Sequence, residues 1–298
     1  MISLLALIAL PNISYGQNFM KQFEELFSKK DTVGQIQLLN NWEKTNSNDP
    51  ELYVAYYNYY VMRASEEVIT LGNDPKGKEA LKIVKEDSLS GNPVAYMYSD
   101  TYYDRLLLYK AYSYIDKGIE KFPNRLDMRF GKIYMLGENK DYQNLTKEII
   151  KTIEYSSVIN NKWLWQGNAP VEDPQAFMLS SIQSYVLQLY NTGEDALLDN
   201  MKMIAECILK QYPEHIESLS NLSIVYLIRK QYDEALATLA RAEKINNKDY
   251  IILNNMAHAY KEKGDIPKAI EYYNLTIKYG DEEAKKYAKE EIELLKKI

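Results

Sequence analysis

The sequence predicts an all-α protein in which helix pairs stack along the chain as a repeat array. Three observations lead to this prediction. Glycine and proline are scarce, at 12 and 9 of 298 residues, which favours helices over a fold of strands and turns. Apolar residues recur at helical spacing in several segments. Finally, the segments 216–249 and 250–281 repeat one pattern of side-chain sizes with a fixed period.

The repeat consists of small and large side chains at fixed positions. The seven positions and their counterparts one period later are Leu219 and Leu253, Leu222 and Met256, Ser223 and Ala257, Tyr226 and Tyr260, Ala235 and Ala269, Leu239 and Tyr273, and Ala242 and Thr276. Small side chains let two antiparallel helices approach closely, and large ones fill the space beside the contact. Gly264 suits a left-handed turn, and Asp265 can cap the helix that follows. The spacing therefore predicts two consecutive helix hairpins.

This pattern resembles the tetratricopeptide repeat, a helix-turn-helix unit of about 34 residues. The resemblance implies a right-handed superhelical solenoid that forms a single domain over residues 17–298, with insertions at about 71–100 and 157–173. Residues 282–298, rich in Glu and Lys, are expected to form the polar-backed capping helix that a solenoid needs at its end.

Weaker patterns predict the other helix pairs. They are expected at 18–46, at 50–60 with 111–123, at 126–156 and at 174–211, which gives six pairs in all. Within the first insertion, residues 76–87 are expected to form a short helix that is followed by a loop. Thr101 and Asp104 have the spacing of a capping box that opens the next helix.

Residues 1–16 have the pattern of a secretory signal peptide. Their apolar core of about ten residues is too short to span a bilayer, and Pro11 ends it. Ser14 and Gly16 supply small residues at the −3 and −1 positions, so cleavage is expected before Gln17. We therefore expect export of a bacterial type to the periplasm or cell envelope, with secretion less favoured. A misassigned start codon and a buried first helix are the alternatives.

Charge and motifs argue against nucleic-acid binding and against catalysis. The net charge is −6, whereas nucleic-acid binding needs a basic surface. The sequence lacks G-x-S-x-G, H-E-x-x-H, P-loop and G-x-G-x-x-G motifs. Its two histidines, His215 and His258, and its single cysteine, Cys207, are too few for a His/Cys metal site. We therefore predict a non-enzymatic protein with no catalytic residue, cofactor or metal, and no membrane-spanning segment in the mature chain.

The resemblance also implies where a partner would bind. In tetratricopeptide repeats, the first helix of each pair lines a concave groove. By register, the candidate binding residues are Asn58, Ser220, Ile224, Asn254, His258 and Lys261. Such a mixed polar and apolar groove suits an extended peptide or an amphipathic helix. We therefore expect a protein-binding scaffold or adaptor, which would suit a member of an envelope complex. For His258, a simple surface position is the alternative.

Two other functions remain open at this level. Trp163 and Trp165 lie two residues apart, so on an extended loop they would face the same way. Exposed tryptophans would suit glycan binding, which is less favoured, or they could instead fill the side of the solenoid. The 27 tyrosines, against 6 phenylalanines, would also suit a self-associating structural envelope protein with tyrosine-rich helix faces.

Overall fold

A computed structural model of the chain describes residues 15–75, 77–84 and 92–297. The apolar core of the predicted signal peptide, within residues 1–14, lies outside the described residues. The predicted cleavage site between Gly16 and Gln17 falls in the first turn of the first helix.

Helices dominate the described residues, and the predicted all-α class of helical repeats is confirmed. The thirteen α-helices found there are α1 (Tyr15–Ser28), α2 (Thr32–Thr45), α3 (Pro50–Ala64), α4 (Arg105–Lys121), α5 (Leu126–Glu138), α6 (Tyr142–Val158), α7 (Pro174–Asn191), α8 (Leu198–Gln211), α9 (Ile216–Ile228), α10 (Tyr232–Ile245), α11 (Tyr250–Lys263), α12 (Ile266–Tyr279) and α13 (Glu282–Leu295). In this part of the chain, every helix is too short or too polar to cross a lipid bilayer.

The helices are divided between two compact units. The first unit contains the described residues up to Met128 together with Leu164–Ala169, and the second contains Arg129–Trp163 and the chain from Pro170 onward. In the first unit, α1 packs against α2, and α3 packs against α4 across the insertion that separates them. In the second unit, α9 packs against α10, α11 against α12, and α13 covers α12. Helices thus occupy all six segments for which the sequence predicts helix pairs, and the capping helix is present.

Four of the helix pairs turn in the same way. A residue shortly after the first helix is left-handed in each case, and these residues are Lys30 (φ 54°), Lys140 (φ 57°), Lys230 (φ 59°) and Gly264 (φ 89°). The next residue donates its N–H to a carbonyl five residues earlier, at 2.8–3.0 Å. This pattern satisfies the last carbonyls of the first helix. Three of the four following residues are aspartates that cap the second helix: Asp31, Asp141 and Asp265.

The two clearest repeats have equivalent helices. Helices α9 and α11 begin one period apart, and so do α10 and α12. Ala235 and Ala269, the predicted close-contact positions of the second helices, are both fully buried. The large members of the pattern, including Leu219, Leu239 and Met256, lie in one apolar core. The alternation of side-chain size therefore reflects helix packing, as the sequence predicts.

Replacing Ala235 with leucine is expected to lower the free energy of unfolding by about 1–3 kcal/mol, because the added carbons have no free space between the helices. Ala237 lies on the same helix and is exposed, so the same change there is a matched control with an expected effect near zero. Urea denaturation followed by circular dichroism measures both. Equal effects of the two substitutions would contradict the packing role of Ala235.

The described part of the first insertion forms a small antiparallel sheet, so the helix predicted over residues 76–87 is wrong at residues 77–84; its remaining residues, 76 and 85–87, lie outside the described residues. Strands β1 (Ser65–Gly72), β2 (Ala80–Val84) and β3 (Pro93–Tyr103) are arranged in the order β1-β3-β2. The segments Val68–Leu71 and Tyr96–Tyr98 are rich in β-branched and aromatic residues, which suit strands. Pairing of β2 with β3 overrides the helix preference of the neighbouring Lys and Glu residues.

The predicted capping box is also wrong. Thr101 lies in β3, opposite Glu67 of β1, and takes no part in capping. Asp104 caps α4 instead, since its carboxylate accepts the N–H of Leu107 at 2.8 Å. The strand extends almost to the helix, which leaves no loop for Thr101 to occupy.

A buried ion cluster holds distant segments of the first unit together. The side chain of Arg125 is fully buried and donates to the carboxylates of Glu51 (2.8 and 3.2 Å) and Asp127 (2.7 and 2.8 Å). Glu51 also accepts the backbone N–H of Gly167 at 2.8 Å. Burial alone would lower the pKa of Arg125, but the two carboxylates raise it above its ordinary value, so the guanidinium stays charged. The cluster fixes α3 to the segment at residues 164–169, which contains two short strand pieces around a 3-10 turn.

Candidate functional site

A groove of about 770 Å³ lies among helices of the second unit. We call this surface the groove; α7, α9 and α11 contribute most of its lining. Its apolar side chains are Val186, Leu187, Tyr190, Met201, Ile216, Ile224, Ile251 and Ile252. On α9, the residues Glu217, Ser220 and Ile224 face the groove because they are spaced three and four residues apart, while Leu219 and Leu222 face the core.

Two of the predicted binding residues line the groove. Ser220 and Ile224 on α9 do so, in agreement with the register of the repeat. Ile251 on α11, which occupies a groove-facing position of the next repeat, also lines it. Asn58 lies on α3 in the first unit, where it is half-buried.

The other predicted residues of α11 face a different environment. Lys261 is half-buried and donates from its ammonium group to Glu291 of the capping helix α13 at 2.6 Å. Asn254 and His258 lie one turn apart and do not belong to the lining of the groove. Within the described residues, Asn254 Oδ1 and His258 Nδ1 are buried without a hydrogen-bond partner. Lys261 therefore binds the capping helix through Glu291. The repeat pattern in the sequence does not predict this ion pair.

Polar side chains connect α7, α9 and α11 beside the groove. Asn221 donates to Gln183, and Gln183 lies 3.5 Å from the hydroxyl of Ser218. Asn255 donates to the hydroxyl of Ser220 at 3.1 Å. These bonds hold neighbouring helices at a fixed distance, so the groove is built on rigid elements. Sequence reasoning does not find Gln183, Leu187 or Tyr190, because α7 lies outside the two clear repeats and offers no register.

One end of the groove is acidic. Glu214, Glu217 and Asp249 belong to its lining, together with His215. Burial lowers the pKa of His215 below its ordinary value, and the nearby Glu217 only partly offsets this. The imidazole is therefore neutral at pH 7 and leaves the charge of Glu217 uncancelled.

His215 is the N-cap of α9, and this role requires a neutral ring. Its Nδ1 accepts the N–H of Ser218 at 3.3 Å, and its Nε2 lies 3.2 Å from the carboxylate of Glu217. A proton on Nδ1 would remove the acceptor that the cap uses. One ring nitrogen of His215 thus caps the start of α9, and the other contacts the carboxylate of Glu217.

We expect the protein to lose stability in acid through His215. Because the folded pKa lies below the unfolded one, this contribution is complete above about pH 6.5 and is lost as the pH falls through the folded pKa. The free energy of unfolding should fall by about 1 kcal/mol, which is the usual contribution of an N-cap. Urea midpoints at pH 7.5, 6 and 5 measure it. His215→Asn keeps a capping oxygen without titrating and should lose less; equal losses in both proteins would contradict the assignment.

The tryptophan segment does not present a pair of exposed rings. Trp163 is only 1% exposed, and its ring packs against Tyr155 at 5.9 Å between centroids and beneath the guanidinium of Arg129 at 5.5 Å. Trp165 is 36% exposed. The alternative in which both rings face solvent on an extended loop does not hold for Trp163, because the chain folds back and the N–H of Val171 donates to the Trp163 carbonyl. Burial of Trp163 agrees with the other alternative, in which a tryptophan fills the side of the helix array. A sugar cannot stack on Trp163.

The sequence matches no protein-family model and no curated protein. Among solved structures, the tetratricopeptide repeat domain of P58(IPK) aligns with 95% of this chain and 66% of its own, at 12% identity and a TM-score of 0.33. This chain thus spans just under two thirds of that structure. Yeast Tom70 aligns with 99% of this chain and 67% of its own, at 12% identity and a TM-score of 0.29.

Proposed function

We propose that the groove binds an extended segment of another protein and that the chain acts as a non-enzymatic scaffold or adaptor. The observation that carries this proposal is the exposure of large apolar side chains along one concave surface. Leu187, Tyr190 and Ile251 remain 56%, 47% and 53% exposed. Clustered apolar side chains in a rimmed groove are typical of binding sites, whereas scattered ones need no explanation.

The geometry of the groove suits the binding of a protein segment better than catalysis. Rigid helices joined by hydrogen bonds need little ordering when a segment binds, which keeps the entropic cost of binding low. The described lining of the groove contains no cysteine, and the one histidine in it caps a helix. Elsewhere in the second unit, burial raises the pKa of the Cys207 thiol to about 11, so this thiol is protonated and weakly nucleophilic at neutral pH.

Peptide display on the purified full-length protein tests the proposal. Random 12-residue peptides should be enriched, and the enriched peptides should lose about tenfold or more in affinity for a Leu187→Asp/Ile251→Asp variant, which puts charge into the apolar surface. Ala237→Asp changes an exposed position on α10 and is the matched control. Thermal melts confirm that each variant folds. Peptides that bind all three proteins equally, or a failure to enrich any, would overturn the proposal.

We also propose that the chain is exported to the periplasm or cell envelope and acts there within a complex. The support is the apolar segment followed by small residues at Ser14 and Gly16. N-terminal mass spectrometry of protein from fractionated cells should find a mature chain that begins at Gln17. A chain that retains Met1 in the cytosolic fraction would overturn this part.

A further inference from the structure

We infer that the occupant of the groove is a cationic amphipathic segment, in which apolar side chains are accompanied by lysine or arginine. This inference rests on the proposed function and names the chemical class of the partner. It follows from the charges that face the groove, from the lack of compensating charges among the described lining residues, and from the arrangement of apolar and polar side chains.

The described lining residues carry charge of one sign only. They include the carboxylates of Glu214, Glu217 and Asp249, and they include no lysine or arginine. Arg241, whose guanidinium lies 3.5 Å from the carbonyl of Pro213, is outside the lining. A basic segment is thus attracted and an acidic one repelled.

Glu214 and Glu217 are available to a partner. Both are exposed, and the side chain of Glu217 is 67% exposed. Within the described residues, neither forms a salt bridge to lysine or arginine; Glu217 lies beside His215 alone, at 3.2 Å. Asp249, in contrast, already accepts the N–H groups of Ile251 and Ile252 as the N-cap of α11. The two glutamates are therefore the groups whose charge a ligand can use.

The uncharged lining residues of the groove indicate the apolar part of the occupant. Leu187, Tyr190 and Ile224 offer apolar contacts. Gln183 bonds to Asn221 and to Ser218, and the amides of Gln183 and Asn221 each keep further donor or acceptor capacity for the backbone of an extended chain. An occupant with apolar side chains at this surface and a cationic side chain near Glu214 and Glu217 matches both features at once.

Three labelled 12-residue peptides test the inference by fluorescence anisotropy with the full-length protein. They share the same leucine and isoleucine positions and differ only in the intervening residues, which are lysine, glutamine or glutamate. The lysine peptide should bind at least about tenfold more tightly than the glutamate peptide at low salt, and the difference should shrink as NaCl is raised. The glutamine peptide should lie between them.

Two double variants locate the effect. Glu214→Gln/Glu217→Gln should reduce the preference for lysine over glutamate several-fold while leaving the glutamine peptide unchanged. Glu234→Gln/Glu271→Gln removes the same charge from exposed positions on α10 and α12 and should leave the preference intact. Melting curves verify that all proteins fold.

The outcomes separate the inference from the proposed function. If all three peptides bind with equal affinity, the groove binds protein segments without regard to charge, and the inference fails alone. An equal loss of preference in both double variants would attribute it to the net charge of the chain, which also overturns the inference. If none of the three peptides binds, the inference fails, and the proposed function stands or falls separately on the selection of random peptides.

Discussion

Replacing Arg125 with methionine is expected to destabilise the first unit by about 3–5 kcal/mol. Methionine fills a similar volume but leaves the carboxylates of Glu51 and Asp127 without their guanidinium partner. The cost is large because the arginine side chain is completely buried and donates four hydrogen bonds of 2.7–3.2 Å to these two groups. Urea denaturation followed by circular dichroism at pH 7 measures the change.

An exposed ion pair supplies the control for this experiment. Arg229 donates to Asp199 at 2.7 Å, but the two side chains are 31% and 69% exposed. Arg229→Met should therefore cost less than about 1 kcal/mol. Lowering the pH should also reduce the deficit of the Arg125→Met variant, since protonation neutralises the stranded carboxylates. A deficit of similar size in both variants would falsify the assignment of Arg125 as the centre of the cluster.

Replacing Trp163 with alanine should cost the second unit about 3–5 kcal/mol. The indole is buried, and its removal leaves a cavity beside Tyr155 and beneath the guanidinium of Arg129. Denaturation with urea, followed by tyrosine fluorescence or circular dichroism, reports the loss. Trp165→Ala should cost less, because that ring is 36% exposed and its removal opens no closed cavity.

This pair of substitutions also distinguishes a structural role from sugar binding. A structural Trp163 predicts that its alanine variant unfolds at lower urea concentration, whether or not oligosaccharide is present. A variant as stable as the native protein that loses oligosaccharide-induced quenching would instead restore the glycan hypothesis.

The helix hairpins of residues 216–281 are predictable from the sequence because their signals are local. Ala235 and Ala269 are fully buried at equivalent positions of consecutive hairpins, so the fixed period of the repeat contains the information on side-chain size. The same holds for Asp265, whose carboxylate accepts an N–H three residues later. Such local signals also place Ser220 and Ile224 at the groove.

The features that sequence reasoning misses depend on contacts between distant segments. Strand β2 exists because β3 pairs with it, and its own Lys and Glu neighbours favour helix. Arg125 and Glu51 are 74 residues apart, and the sequence around neither residue predicts that they pair. Likewise, Leu187 and Tyr190 join the groove only because α7 packs beside α9. The assignment of binding residues from register is therefore limited to the helices that carry the repeat.

The left-handed turn shared by four helix pairs carries a conformational cost at most of its positions. Only one of these turns uses glycine, at Gly264, while the equivalent position is lysine at Lys30, Lys140 and Lys230. A left-handed backbone is disfavoured for every residue with a Cβ atom, so the packing of the two helices must offset this cost in three of the four hairpins.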